Sequence, residues 1–214
     1  MTEEEILEDL RQAVLTYDSD RARRAAEEAI EAKVHPLKAI EEGLAPAIRE
    51  VGERYHRYEI YLPHVIIAAD VMTVAMQILE AALPKDEVPK RKGIVIGTVE
   101  GDIHEIGKNV VAMMLKVAGF EVYDLGVDVR VSTFIDKAQA HDAEVIAMSS
   151  LMTTSMPNMG ELIDELNSTN MREKYKVVVG GGPVTQWYAE KIGSDGFGRD
   201  GDEAVEMVRR LLRV

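Results

Sequence analysis

The second half of the chain alternates short apolar runs with helical stretches, and this alternation is the strongest constraint on its fold. Continuous apolar runs of about five residues are typical of strands that are buried on both faces. When such strands alternate with helices, they pair in parallel and the helices cover both faces of the sheet. We therefore predict an α/β domain with a five-stranded parallel sheet. The predicted strands span residues 93–98, 121–125, 145–149 and 176–180, with a weaker one at 195–197.

The first half is different, because it shows no strand signal before Pro84. Its apolar residues recur at helical spacing, and Ser, Thr, Asp and Pro stand where helices usually begin. We predict an all-α helical bundle of about four or five helices over residues 1–83. The predicted helices begin at Thr2 with a capping box to Glu5, at Ser19 or Asp20, at Pro36, at Pro46 and at Pro63, and Gly43 is predicted to end the third.

A charged stretch with two prolines separates the two patterns. Residues 84–92 carry Pro84 and Pro89 among charged side chains, which is typical of a linker. Residues 93–214 then form the predicted sheet domain. Five strands favour the flavodoxin-like (Rossmann-like) order 2-1-3-4-5, in which strands 1 and 3 are neighbours. Open sheets of this kind bind ligands at the carboxyl ends of their strands.

Composition limits the partners and the chemistry. The formal net charge of -13 argues against nucleic acid and anionic membranes, because both require basic surface. The absence of cysteine excludes disulfides, cysteine-ligated zinc and iron–sulfur clusters. The acidic N-terminus is unlike a signal peptide, and no apolar run is expected to span a membrane. We predict a cytoplasmic protein.

A short loop after the first predicted strand carries the residues best suited to chemistry. Asp102, His104 and Gly107 form the pattern Asp-x-His-x-x-Gly, and a helix is predicted from about Glu105 to Val117. A metal-bound histidine commonly donates its other ring N–H to a carboxylate. One histidine with one aspartate suits a single axial ligand to a metal held mainly by another group, since a protein zinc site needs three or four ligands. The apolar face of the helix is predicted to comprise Ile106, Val110, Met113, Met114 and Val117.

Two further loops are predicted to lie at the same edge of the sheet. Ser149, Ser150 and Leu151 end or follow the third strand, and the glycines at 180–182 end or follow the fourth. Small residues after a strand let a bulky group lie directly against the backbone. A tight turn and a helix cap explain the same glycines and hydroxyls without a ligand, and both alternatives stay open here. The methionines near this edge are predicted to fill the core.

These segments together resemble a family signature. The three loop segments, which follow the first, third and fourth strands, are similar to the signature of cobalamin-binding domains. These domains hold their cofactor base-off and His-on, which means that a protein histidine replaces the cofactor's own base as the lower ligand of cobalt. That family includes the cobalamin module of methionine synthase and the small corrinoid proteins of methylamine- and methanol-type methyltransferase systems. Residues 51–55 and 61–72 resemble the helical cap of those proteins, so the resemblance covers nearly the whole chain. The signature residues are Asp102, Ile103, His104 and Gly107, then Ser149, Ser150 and Leu151, then Gly180 and Gly181.

The resemblance implies a role for each of these residues. His104 would be the lower axial ligand of cobalt, and Asp102 would hydrogen-bond its other ring nitrogen. Gly107 would let the following helix pack close to the displaced nucleotide tail of cobalamin. Ser149 would contact the benzimidazole of that tail, with Leu151 beside it. The remaining predicted cofactor contacts are Ile103, Thr153, Gly180 and Gly181, and Tyr61 of the cap, which with Leu62 and Val65 would cover the upper, methyl-bearing face.

The resemblance also implies a function. Such a protein is a methyl carrier whose cobalamin alternates between methylcob(III)alamin and cob(I)alamin. A substrate:corrinoid methyltransferase would load the methyl group, and a corrinoid:acceptor methyltransferase would pass it to a thiol or folate, with a reductive activase as a further partner. No nucleophile with a general base is evident, so independent turnover is not expected. Methylamines, quaternary amines, methanol and aryl methyl ethers are all possible donors, and we favour amines.

Three alternatives stay open on the sequence. A cobalamin-dependent sensor would use the same cap and binding domain, but such sensors usually carry a basic DNA-binding segment and this chain is acidic. The small subunit of a carbon-skeleton mutase lacks a helical cap such as residues 1–83. A flavodoxin-like domain with an incidental Asp-x-His would require the other two segments to match by chance.

Overall fold

A computed structural model of the chain describes residues 1–84 and 91–214. Its contacts divide it into two compact units, Met1–Lys90 and Arg91–Val214. Of the linker predicted at residues 84–92, residues 85–90 lie outside the described part of the chain. Within its described residues the first unit contains helices and no strand, and the second unit is built on a sheet.

The first two helices of the first unit begin with side-chain caps. Thr2 closes a capping box, because its hydroxyl accepts the N–H of Glu5 at 3.2 Å and the Glu5 carboxylate accepts the N–H of Thr2 at 2.7 Å. Asp18 caps the second helix in place of the predicted Ser19 or Asp20, since its carboxylate accepts a first-turn N–H at 2.9 Å. The helices are α1 (Glu3–Leu15), α2 (Ser19–Glu31), α3 (Pro36–Lys38), α4 (Ala45–His56) and α5 (Leu62–Ala81).

Gly43 does not end a helix, contrary to the prediction. It lies in a π-helical segment, Ala39–Leu44, that joins α3 to α4 without a break. A Cβ atom on Gly43 would approach the Cβ of Leu10 to 3.2 Å and the carbonyl oxygen of Leu7 to 3.3 Å. The glycine therefore serves close packing against α1, and the wider π-helical turn lets the helix continue through it.

Helix α5 corrects another expectation. Its mean hydropathy is 1.7, and it is the one helix of the described residues that is long and apolar enough to cross a membrane. The core helix of a folded protein meets the same criterion, because such a helix is apolar all round. Length and composition are therefore weak support for a membrane span. The buried residues of α5 are Val65, Ala68, Val71, Ala75, Met76 and Leu79.

The second unit is the predicted α/β domain with five parallel strands. Its strands are β1 (Gly93–Thr98), β2 (Glu121–Asp124), β3 (Val145–Ser149), β4 (Lys176–Gly180) and β5 (Gly196–Gly198). Its helices are α6 (Ile106–Val117), α7 (Val131–Ala140), α8 (Pro157–Ser168), α9 (Gln186–Ile192) and α10 (Gly201–Leu212), with a 3₁₀ turn at Arg172–Lys174. The strand order is β2-β1-β3-β4-β5, which confirms the predicted topology.

Each face of the sheet packs against its own layer of helices. Ile96, Ala147 and Val178 belong to the core that α6 and α10 cover. Val95 and Ile146, their neighbours in sequence, belong to the core beneath α7, α8 and α9. Alternate residues of a strand point to opposite faces, so each central strand must be apolar throughout.

The register of the central strands brings three loops to one edge. Thr98 pairs with Ser149, and Ser149 pairs with Gly180. The loops that follow β1, β3 and β4 therefore start side by side. The predicted meeting of these loops is confirmed by the topology.

Candidate cofactor-binding site

The loop after β1 holds His104 in one orientation. Nδ1 of its ring lies 2.7 Å from Oδ1 of Asp102, and the same oxygen accepts the backbone N–H of His104 at 2.9 Å. The Asp102 side chain is fully buried, whereas that of His104 is 51 % exposed. The ring is therefore fixed through Nδ1, and Nε2 is the nitrogen left to bind a ligand.

The other oxygen of Asp102 binds the loop after β3. Oδ2 accepts the backbone N–H groups of Leu151 at 2.6 Å and of Met152 at 3.2 Å. The hydroxyls of Ser150 and Ser155 both lie 3.5 Å from this oxygen. One buried carboxylate thus connects the two loops and orients the imidazole. Sequence reasoning did not predict the contacts of Ser155 and Met152 with Asp102, because only the fold brings these residues together.

These hydrogen bonds keep Asp102 ionised. Burial by itself raises the pKa of Asp102, but the N–H groups of His104 and Leu151, the His104 ring and the N–H of Met152 lower it to about 2. A carboxylate can only accept hydrogen bonds, so the shared proton resides on Nδ1 of His104. This tautomer leaves a lone pair on Nε2, which a metal ligand requires.

Three more hydrogen bonds fix the backbone of the His104 loop. The Thr98 hydroxyl donates to the carbonyl of His104 at 2.9 Å. The Asp128 carboxylate accepts the N–H of Gly101 at 2.7 Å, and the N–H of Asp128 donates to the carbonyl of Asp102 at 3.0 Å. Because the loop is held in this way, the His104 side chain needs little reordering when it binds a metal. Asp128 was not predicted, because it lies beyond the next strand in sequence.

Apolar side chains stand exposed beside His104. Ile103 is 74 % exposed, Ile106 is 83 % exposed and Leu151 is 50 % exposed. Exposed apolar residues that cluster in this way mark binding surfaces, and this one can cover a flat, apolar group above the histidine. Met152, one of the methionines predicted to fill the core, is also exposed, which corrects that prediction.

The position of Ile106 corrects the predicted face of α6. The helix directs Ala112 and Leu115 into the core, and Ile106 lies outside it as the first helical residue. Val110, another residue of the predicted apolar face, lines a cavity. An apolar stripe on a helix can cover both the core and a ligand, and periodicity alone does not show which residues do which.

The cavity has a volume of about 570 Å³ and opens beside His104. This volume is typical of ligand and cofactor sites. Its walls come from α6, α10 and the ends of β1, β3 and β4, all within the second unit. Thr153 is exposed and does not line the cavity, and Tyr61 belongs to the first unit, so both roles stay predictions. The predicted residues that do line it are Ile103, His104, Gly107, Ser149, Leu151, Gly180 and Gly181.

Glycine is needed around the cavity for two different reasons. A Cβ on Gly181, whose φ is +118°, would lie 1.9 Å from the carbonyl oxygen of Ser150. A Cβ on Gly180 would lie 2.8 Å from the carbonyl oxygen of Gly198. These two glycines are therefore required by the packing of the protein's own backbone. A Cβ on Gly107 would meet no atom within 4 Å, so Gly107 is the glycine that leaves room for a ligand.

A buried lysine lies in the first turn of α6. The Lys108 side chain is 1 % exposed, and its Nζ lies 2.6 and 2.5 Å from the two carboxylate oxygens of Asp124. Nζ also donates to the side-chain oxygen of Asn109 at 2.6 Å. A buried ammonium requires such partners, and this one connects the start of α6 to the end of β2.

Asp124→Asn is expected to destabilise the protein more than Lys108→Met. The first change leaves a buried ammonium without its counter-charge, and since Asp124 is partly solvated we expect a loss of about 2 to 3 kcal/mol. The second removes the charge and keeps the apolar stem, so the loss should stay below about 1.5 kcal/mol. Denaturant unfolding of both variants measures the difference. An equal or larger loss in Lys108→Met would contradict this account of the pair.

The donor set at this site can supply only one ligand to a metal. Within residues 1–84 and 91–214, no group of three or more His, Cys, Asp or Glu side chains is placed to hold a metal ion. His104 therefore suits a metal that is carried by a larger organic group. The oriented imidazole, the exposed apolar surface and the cavity define a domain that binds a metal-bearing organic cofactor.

Comparison with known proteins identifies the family. Residues 92–209 match the B12 binding domain family, and residues 6–80 match a second B12 binding domain family. Dimethylamine corrinoid protein 2 of Methanosarcina acetivorans is 43 % identical over 99 % of this chain and 98 % of its own length. Trimethylamine corrinoid protein 1 of the same organism is 41 % identical over 99 % of both chains. The chain belongs to the corrinoid proteins of methyltransferase systems, whose cofactor is cobalamin.

A solved structure extends the similarity to the whole fold. The methanol:cobalamin methyltransferase complex MtaBC from Methanosarcina barkeri contains a chain that matches with a TM-score of 0.88 at 28 % identity. The match covers 99 % of this chain and 81 % of that one. The resemblance proposed from the sequence motifs is therefore confirmed.

Gly107→Ala is expected to separate folding from cofactor binding. Because no atom lies near the added methyl group, the cofactor-free protein should keep or slightly gain stability, by up to about 1 kcal/mol. Because Gly107 lines the cavity, the added methyl group is expected to occupy space that the cofactor needs, so cobalamin affinity should fall. Gly52→Ala is the matched control, since Gly52 lies in α4 and also has no atom within 4 Å of an added Cβ. Unchanged cobalamin affinity in Gly107→Ala would remove Gly107 from the site.

Proposed function

We propose that this protein is a methyl carrier that binds cobalamin base-off, with His104 as the lower axial ligand of cobalt. The observation that supports this most is the buried Asp102 carboxylate 2.7 Å from Nδ1 of a half-exposed His104. The bound cobalamin would supply the cobalt that carries the methyl group. Asp102 would hold the imidazole with its Nε2 lone pair directed at the metal.

The rest of the second unit would position the cofactor and exclude water. The exposed Ile103, Ile106 and Leu151 would lie against the lower face of the corrin. The cavity beside Gly107 would take the nucleotide tail that His104 displaces. An apolar lining suits this role, because a dry site protects a reactive metal centre from side reactions.

The first unit would act as a cap over the methyl-bearing face. Tyr61 lies at the start of α5 and is 71 % exposed, so its ring is available for such a contact. Val65 was predicted to share this role, but it is 2 % exposed and cannot present its side chain. Tyr61 with Leu62 remains the proposed covering pair.

Methylamines are the proposed donor class, on the strength of the named relatives. A substrate:corrinoid methyltransferase would load the carrier, and the relationship to the chain in the methanol:cobalamin methyltransferase complex supports such a partner. A second methyltransferase acting on a thiol or folate, and a reductive activase, complete the proposed partners. We further propose that the carrier has no turnover of its own and works in the cytoplasm.

A cobalamin-dependent sensor is the alternative. The acidic chain and the full-length similarity to methylamine corrinoid proteins favour the carrier. Full-length similarity, with a B12 binding domain match at residues 6–80, also argues against a mutase subunit without a cap.

The proposal is tested by loading the protein with cobalamin, reducing it, and offering methylated amines with and without an amine:corrinoid methyltransferase. We expect a change in the cofactor spectrum that requires both the donor and the methyltransferase. Cofactor binding without transfer from any donor would favour the sensor. Transfer from a donor in the absence of the methyltransferase would contradict the carrier role.

Removal of the cap is expected to leave cofactor binding intact but to expose the methyl group. Residues 93–214 lie within a compact unit of their own, so we predict that they fold and bind cobalamin without residues 1–83. Light should then release the methyl group faster than in the full chain. Circular dichroism checks the fold and the cofactor spectrum follows photolysis. Equal photolysis rates would remove the cap from the proposal.

A further inference from the structure

The inner end of the cavity is formed by one row of the sheet. Ile96 pairs with Ala147, Ala147 pairs with Val178, and Val178 pairs with Gly196. The side chains of this row point to the face that α6 and α10 cover. The row lies two residues inside the edge at which Ser149 and Gly180 stand. The floor of the cavity is therefore wholly apolar.

The backbone and the roof add no polar group to this floor. β3 and β4 each have a parallel neighbour on both sides, so their N–H and C=O groups are used in the ladder. Met207 closes the far end, since a Cβ on Gly196 would lie 2.2 Å from its sulfur. A group that enters as far as this floor meets hydrocarbon and sulfur on every side.

Three of the polar side chains that line the cavity are already engaged elsewhere. Lys108 pairs with Asp124, and Arg199 pairs with Glu203. Asp200 caps α10, because its carboxylate accepts the N–H of Glu203 at 3.0 Å. His104 and the exposed Glu105 stand at the outer end, on the loop before α6.

Ser149 lies deeper than Glu105, at the end of β3, and its position is specific. It lies on the same face of β3 as Ala147, two residues nearer the edge of the sheet. Its hydroxyl makes no hydrogen bond with a described residue. The cavity thus offers one hydroxyl partway along and none at its floor. A bicyclic base matches this distribution of polar and apolar groups under two conditions. The ring attached to the sugar must carry a polar nitrogen, and the far ring must be hydrocarbon.

We infer that this protein selects its corrinoid by the lower base, taking a benzimidazole in preference to a purine such as adenine. The inference rests on the proposed base-off binding mode, in which the base enters the cavity. The far ring of adenine carries an amine and ring nitrogens, which would lose water at the floor without gaining partners. A benzimidazole presents hydrocarbon there.

Binding titrations with cobalamin and with its adenine-base counterpart test the inference on the full chain. The spectral change on forming the base-off, His-on complex gives both dissociation constants without any turnover. We expect the adenine form to bind about 10- to 100-fold more weakly. Cobinamide, which has no nucleotide, serves as the reference for binding through His104 alone.

Two variants test whether the floor is the source of the preference. Val178→Thr and Ala147→Ser each add a hydroxyl to it, and one new hydrogen bond should reduce the preference about 2- to 10-fold. Val177→Thr is the matched control, because Val177 is buried on the opposite face of the same strand and its hydroxyl cannot reach the cavity. Thermal unfolding verifies that the variants are folded.

The outcomes separate this inference from the proposed function. If cobalamin itself gives no His-on spectrum, the proposed function fails. If cobalamin binds His-on and the adenine form binds equally well, only the selectivity is wrong. A preference that both floor variants leave unchanged, or that Val177→Thr changes as much, would also overturn the inference.

Discussion

His104→Ala is expected to abolish imidazole ligation of cobalt while leaving the fold intact. The His104 ring is half exposed and contacts the protein through one hydrogen bond to Asp102, so little of the core depends on it. Mutation of a residue that hydrogen-bonds a metal ligand typically reduces activity roughly 10- to 100-fold, and loss of the ligand itself should reduce methyl transfer by more than that. Paramagnetic resonance of the Co(II) form reports the coupling to nitrogen, and thermal unfolding reports the fold.

His141→Ala is the matched control for this experiment. His141 lies in the same unit and stacks on Tyr123 with ring centroids 3.8 Å apart. Its removal should leave the nitrogen coupling and methyl transfer unchanged. A His104→Ala protein that keeps the wild-type coupling would show that another nitrogen binds cobalt.

Asp102→Asn is expected to disturb both the orientation of His104 and the two loops that Asp102 connects. Every near neighbour of the Asp102 carboxylate is a donor, including the ring and N–H of His104 and the N–H groups of Leu151 and Met152. An asparagine has one acceptor oxygen, so its NH₂ group must face a donor in either orientation. We expect cobalamin affinity or methyl transfer to fall about 10- to 100-fold, and stability to fall by about 1 to 3 kcal/mol.

Asp128→Asn provides the comparison. The Asp128 carboxylate accepts the N–H of Gly101, which an asparagine oxygen can also do. This variant should therefore bind cobalamin nearly as well as the natural protein. If Asp102→Asn were no worse than Asp128→Asn, the buried carboxylate would not be the element that orients His104. Complete loss of cobalamin from a folded Asp102→Asn protein would point to a more direct role for Asp102.

The sequence allowed the topology to be predicted because few arrangements satisfy its alternation of strands and helices. Parallel strands need helical connections, and these follow a fixed handedness, so the loop of His104 and the loop of Ser149 had to meet. The partnership of Asp102 with His104 was also predictable, since the two residues are close in sequence. The capping box at Thr2 is equally local and was found for the same reason.

The features that were not predicted depend on contacts between distant segments or on a surface that can face a ligand. Ile106 belongs to the predicted apolar face of α6, and its exposure was not predicted, because an apolar residue on a ligand-facing surface has the same sequence signature as one in the core. The prediction that Gly43 ends a helix is wrong because its close approach to Leu10 is a tertiary contact, which local sequence does not reveal. The second oxygen of Asp102 and the pairing of Lys108 with Asp124 likewise exist only once the loops are placed.

The most direct test of the central claim uses protein whose histidines carry the heavy nitrogen isotope, loaded with unlabelled cobalamin and reduced to the Co(II) form. The heavy isotope has a nuclear spin of one half instead of one. If His104 is the axial ligand, each cobalt line should change from a triplet to a doublet on labelling, and His104→Ala should remove that splitting. A triplet that persists in the labelled protein would show that the benzimidazole of the cofactor still binds cobalt, and would contradict base-off, His-on binding.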